Sequence, residues 1–127
     1  AIVVVRTFRY RTPGISYDFL KKYPRLVFLG MPDEYEDMKQ HIPQLEYRPV
    51  RNFLEMAQVI AGCRLYVGNQ SLPSAIAEAV KATRVIELFF RVPTTVVEGP
   101  EGYDFVYQPQ FEKIVTELME QPVPSKP

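Results

Sequence analysis

The chain has 127 residues, 46% hydrophobic and 24% charged, the mixture of one ordinary globular domain rather than of a disordered or collagen-like chain. Fifteen basic and fifteen acidic side chains cancel, which argues against a general binder of nucleic acid or anionic membrane, because such binding needs excess positive charge. No apolar run approaches the roughly 18 residues that span a bilayer, and no leader-like segment opens the chain.

A single Cys63 and a single His41 supply neither an internal disulfide nor a structural zinc site, so a reducing, cytoplasmic setting without metal or cofactor is expected. The chain opens directly in an apolar run with no initiator Met. Either the Met has been removed or the chain is a piece of something longer.

Ile2 to Val5 is an unbroken β-branched run, the pattern of a strand covered on both faces. A polar loop, Arg6 to Gly14, follows. Ser16 then caps a short helix, with Ile15 and Leu20 as a hydrophobic staple and Phe19 and Tyr23 facing inward. Arg25 to Gly30 reads as a second buried strand. Pro32 opens a helix with Asp33, Glu34 and Glu36 near its positive end. Leu45 to Arg48 is a short third strand.

Asn52 and Glu55 form a variant capping box for a helix whose apolar residues Phe53, Met56, Ala57 and Ile60 share one face. Gly62 stands at its C-terminal cap position. Arg64 to Val67 is the fourth strand, followed by the turn Gly68-Asn69-Gln70-Ser71 and a helix over Pro73–Ala82. Arg84 to Leu88 is the fifth strand. The segment 89–108 predicts a loop with one short strand near Asp104–Tyr107. Pro109 begins a last helix with a buried stripe of Phe111, Ile114, Val115 and Leu118. Residues 1–120 thus form one domain, and the tail Gln121 to Pro127, with three prolines in seven residues, is expected to fray.

Alternating strands and helices predict an α/β domain: a doubly wound parallel sheet of about five to six strands with helices on both faces, Rossmann-like. Ligands of such sheets bind at the carboxyl ends of the strands, near the reversal of strand order. Two loops qualify. The first carries Arg6, Thr7, Arg9 and Arg11, and three arginines within six residues suit phosphate oxygens if they point to one side. The plainer alternative pairs them with an acidic helix start. The second loop offers Gly68 for close backbone approach, then Asn69, Gln70, Ser71, Leu72 and Ser74 at a helix start whose first amides lack partners, a natural anion site. Glu78, about two turns into that helix, is placed to reach a ribose hydroxyl. Its plainer fate is a solvent-facing carboxylate. No catalytic Ser/His/Asp or Cys/His set can be assembled.

The stretch FLEMAQVIAGCRLYVGNQSLPSAIAEAVKATRVIELF (53–89) resembles the nucleotide-sugar-binding C-terminal half of two-domain B-type glycosyltransferases, the heptosyltransferase-like group in particular. There a strand leads into a Gly-x-Asp-Ser-Gly-x-x-His turn and an Ala-rich helix, and a Val-Ile-x-Leu-Phe strand closes the unit. Gly68, Ser71, Ala77 and Arg84 to Phe89 match that plan. Gln70 stands where the family has an acid, Leu72 where it has glycine, and Ala75 where it has histidine. The resemblance implies a domain that binds the diphosphate of a nucleotide-sugar donor and depends on an acceptor domain for turnover. In it Arg6 and Arg9 would neutralise the diphosphate, the 71–74 turn would hold phosphate oxygens, Glu78 the ribose, and Pro49–Val50 would border the base. The alternative is a non-catalytic interaction module, a homodimer for instance, using the aromatic residues Phe89, Phe90, Tyr103, Phe105 and Tyr107. A flavodoxin-like or receiver-like reading is disfavoured, because the first strand lacks a terminal Asp and the first loop lacks a Ser/Thr-rich cradle.

Overall fold

The computed structural model describes residues 1–89 and 97–122. Phe90 and residues 123–127 of the tail lie outside the described residues. Six strands, β1 (Ile2–Val5), β2 (Leu26–Phe28), β3 (Glu46–Tyr47), β4 (Leu65–Asn69), β5 (Arg84–Glu87) and β6 (Gly102–Phe105), alternate with helices α1 (Pro32–His41), α2 (Phe53–Ala61), α3 (Leu72–Ala79) and α4 (Gln108–Glu120). The strands form one sheet in the order β3-β2-β1-β4-β5-β6, and every neighbouring pair is parallel. This is the doubly wound α/β fold the alternation predicts.

Residue parity in the central strands explains the two layers. Ile2, Val4, Leu65, Val67 and Val85 join Met38 of α1, Ile42 just after it, and Phe111 and Val115 of α4 in one buried cluster. Val3, Val5, Tyr66 and Ile86 join Ile60 of α2 and Ala77 of α3 in the other. A strand buried on both faces needs apolar residues at every position, which is why β1 reads IVVV. Phe111 anchors the first layer. Its ring stacks on Phe105 at 3.9 Å, with Tyr17 and Phe19 meeting it edge-on.

Several boundaries differ from expectation, each for a local reason. The segment after Ser16 is a 3-10 helix over Asp18–Lys22 and not an α-helix. Ser16 Oγ does accept from the Asp18 N–H at 3.1 Å. Pro24, however, pushes Tyr23 into an extended conformation and ends the turn. Gly62 ends α2 in a right-handed conformation, so its freedom to turn left is not used. β4 runs two residues further than predicted and takes in Gly68 and Asn69. α3 stops at Ala79, ahead of Lys81, whose φ is +53°. β6 begins at Gly102 rather than Asp104, because Gly102 pairs with Arg84 and a Cβ there would lie 2.7 Å from the Arg84 guanidinium. No helix among the described residues is long and apolar enough to cross a membrane.

Candidate functional site at the carboxyl rim

Strand order reverses between β1 and β4, and the loops after these strands do converge. Asn69, the last residue of β4, is fully buried and ties them together. Its Oδ1 accepts from the Thr7 N–H at 3.0 Å, and its Nδ2 donates to the carbonyls of Thr7 and Arg9, both at 3.0 Å. Thr7 Oγ1 in turn donates to the Arg9 carbonyl at 3.0 Å. The first loop is therefore held by one amide side chain against the start of α3.

That start is built from hydroxyls. Ser74 is buried, and its Oγ donates to the Asn69 carbonyl at 2.5 Å while accepting from Tyr66 Oη at 2.8 Å. Burial, more than any neighbour, pushes the Tyr66 hydroxyl well above its ordinary pKa, so it stays a donor. Ser71 occupies the cap position of α3 but turns its Oγ to the Asn69 carbonyl at 3.0 Å and makes no side-chain cap bond. The amides of Leu72 and Ser74 in the first turn are left without a side-chain cap, and Pro73 has none to offer. Gly68 serves packing rather than ligand approach: a Cβ there would sit 2.7 Å from Tyr66 Oη and 2.9 Å from the Val5 carbonyl. Gln70 is buried, and its Oε1 accepts from the Phe89 N–H at 2.6 Å, linking this turn to the loop after β5.

The arginines do not form one array. Arg6 is almost wholly buried, its Nε and Nη2 on the two carboxylate oxygens of Glu87 at 3.1 Å and its Nη2 also on the Ile15 carbonyl at 3.2 Å. Burial pulls its pKa down, but the Glu87 bond and charge outweigh this and leave it raised. The expected role of Arg6 at a diphosphate is therefore corrected: its charge is spent on a buried carboxylate. Glu87 also accepts from Tyr17 Oη at 2.8 Å and the Thr12 N–H at 2.8 Å. Arg11 stacks over Phe8 and pairs with Asp37 at 2.9 Å, a turn further into α1 than the acidic helix start of the plainer alternative. Arg9 is exposed, lies against the Tyr10 ring, and alone of the three has no ion-pair partner among the described residues.

Glu78 is a second correction. It lies near the end of α3, at the amino rim of the sheet, where both its oxygens receive the fully buried Arg84 at 2.9 and 3.1 Å and Lys81 joins them. A residue six positions into a helix sits about 9 Å along its axis from the first turn, far from a ligand at the other rim. Burial acts to raise its pKa, but the bonds from Lys81 and Arg84 outweigh it and the value is lowered from 4.5. A carboxylate with a depressed folded pKa stabilises above its unfolded value and loses that contribution as pH falls through the folded one. Thermal midpoints of wild type and Glu78→Gln are thus expected to differ by a constant amount above about pH 4.5 and to converge below it. A gap that persists in acid would exclude the ion pair as its source.

The late aromatic residues divide as well. Phe105 is core, Phe89 packs on Tyr10 at 5.6 Å between centroids, and Tyr103 and Tyr107 are the exposed ones among the described residues of this group. Sequence reasoning missed the Arg6–Glu87–Tyr17 network, although a lone Glu inside the apolar strand RVIE was a signal that a cation must come to it. Among the described residues no group of three or more His, Cys, Asp or Glu converges. A cavity of about 600 Å³ opens at the amino rim beside Arg25, Cys63 and Arg64, away from the convergent loops.

No protein-family model and no curated protein matches the chain. Among solved structures it is similar to a glycosyl transferase family 9 structure from Veillonella parvula DSM 2008, with a TM-score of 0.54 and 15% identity, over 98% of this chain and 39% of that one. The chain spans well under half the length of that protein. At this identity the likeness is one of fold alone, a doubly wound, Rossmann-like α/β domain.

Proposed function

We propose that the chain is a donor-binding half of a glycosyltransferase-like protein, taking the diphosphate of a nucleotide sugar at the carboxyl rim between β1 and β4. The observation that supports this most is the Asn69 clamp, which holds the arginine-bearing first loop beside the uncapped first turn of α3. In this reading the Leu72 and Ser74 amides and the positive end of the α3 dipole meet the phosphate oxygens. Arg9, the uncommitted cation of the loop, supplies the compensating charge, with Thr7 and Ser71 beside it. Asn69, Gln70 and Gly68 shape the turn and do not touch the ligand.

The reaction of a complete protein would be displacement at the anomeric carbon of the sugar, with the leaving diphosphate stabilised electrostatically by this rim. The acceptor and the base come from a second domain. Within this chain Gln70 and Ala75 replace the acid and histidine of the resembled turn and supply no proton-transfer group. The test is calorimetric titration with UDP-, GDP- and ADP-sugars and the free diphosphates. Binding that weakens with salt and falls about tenfold or more in Arg9→Glu is expected, the loss of one charged hydrogen bond. Absence of heat with every nucleotide at millimolar concentration would refute the reading.

A further inference from the structure

In a parallel sheet every strand ends, and every following helix begins, at one rim, so exposed apolar residues have no reason to gather there unless something covers them. Of the eight large hydrophobic side chains exposed among the described residues, six lie at that rim, and only Val80 and Tyr103 lie elsewhere. The centre of the group is Phe53 and Leu54, 67% and 69% exposed at the start of α2, with Leu72, 52% exposed at the start of α3. α2 and α3 pack side by side on the same sheet face, so their first turns are neighbours. Phe8 and Met31 flank this centre from the loops after β1 and β2.

The charges around it decide what fits. Arg9 and Arg48 are exposed on this rim and have no ion-pair partner among the described residues, whereas the neighbouring Arg51 is paired with Glu55. Asp33 and Glu36, in the first turns of α1, are exposed there and equally without a cation. A purely basic rim would repel its own copy. A rim that carries unmatched charges of both signs, Arg9 and Arg48 against Asp33 and Glu36, around an apolar middle offers its own copy complementary partners in a two-fold pairing.

We propose that two copies of this chain associate head to head through their carboxyl rims, with Phe53, Leu54 and Leu72 at the centre and Arg9 and Arg48 facing the carboxylates of the other copy. The pairing covers Arg9 and the first turn of α3, the groups the donor reading assigns to the diphosphate, so nucleotide and partner copy compete for one rim. The donor titration can fail with the pairing intact, and the pairing can fail with the titration intact. Sedimentation velocity over a wide concentration range, without nucleotide, tests it. The wild type is expected to dimerise and to dissociate with added salt. The Leu54→Asp/Leu72→Asp variant is expected to stay monomeric, with an unchanged circular dichroism spectrum and thermal midpoint showing that it folds. Arg9→Glu/Arg48→Glu and Asp33→Lys/Glu36→Lys are each expected to be monomeric alone and to form a heterodimer when mixed. A wild type that is monomeric at millimolar concentration, a dimer that survives Leu54→Asp/Leu72→Asp, or charge variants that fail to pair on mixing would each overturn the proposal.

Discussion

Glu87→Ala is expected to lower folding stability by about 3–5 kcal/mol, because it removes one member of a buried ion pair and strands the other. Glu87 is fully buried and receives four hydrogen bonds, from Arg6 Nε and Nη2, Tyr17 Oη and the Thr12 N–H. Without the carboxylate, Arg6 keeps a charge that burial penalises and retains only the Ile15 carbonyl and the Tyr17 ring. Tyr17→Phe removes a single donor and is expected to cost about 1 kcal/mol. The double variant Arg6→Met/Glu87→Leu, apolar on both sides, should recover most of the loss, since desolvation of the two ions disappears with them. Urea unfolding at neutral pH with an unchanged m-value reads all three. A loss below about 1 kcal/mol for Glu87→Ala would mean that water reaches the site and the pair is screened.

The second large effect concerns Asn69→Asp. The amide serves as acceptor for one N–H and as donor to two carbonyls. An ionised carboxylate keeps the first and sets a negative charge against the two carbonyl oxygens at about hydrogen-bond distance, in a fully buried position. We expect a loss of about 3 kcal/mol or more at neutral pH, larger than for Asn69→Ala, which leaves polar groups unsatisfied without adding charge. The sign of the pH dependence is diagnostic. The new carboxyl has a folded pKa raised above its unfolded value near 3.9, so its penalty is absent below that value and grows as pH rises. Stability of this variant relative to Asn69→Ala should therefore improve in acid. If the difference is independent of pH, the side chain has turned out to solvent and the clamp has opened.

The comparison of sequence with structure divides along one physical line. Features fixed by local pattern were legible. The run Ile2 to Val5, the Asn52 cap, whose Oδ1 accepts from the Glu55 N–H at 2.9 Å, and the α4 stripe all stand where the sequence places them. The meeting of the two loops was legible too, because it follows from adjacency of β1 and β4 in a doubly wound sheet. Features that depend on long-range partners were not. Nothing near Arg6 announces a carboxylate 81 positions away, and the register that buries Arg84 against Gly102 shifts β6 by two residues. Glu78 was the avoidable error: helix rise alone carries it to the other rim, and Arg84 six residues later was in plain sight.

The place of β1 in the middle of the sheet has a consequence for how the molecule assembles during synthesis. Val4 sits between Phe28 and Val67, so β1, translated ahead of the other five described strands of this sheet, needs partners from both sides. Half of its hydrogen-bonding edge stays open until Leu65–Asn69 has been translated, and an all-parallel sheet cannot shorten the wait with a hairpin. A nascent chain halted before that point exposes a sticky β-branched ribbon, the kind of segment that chaperones shield.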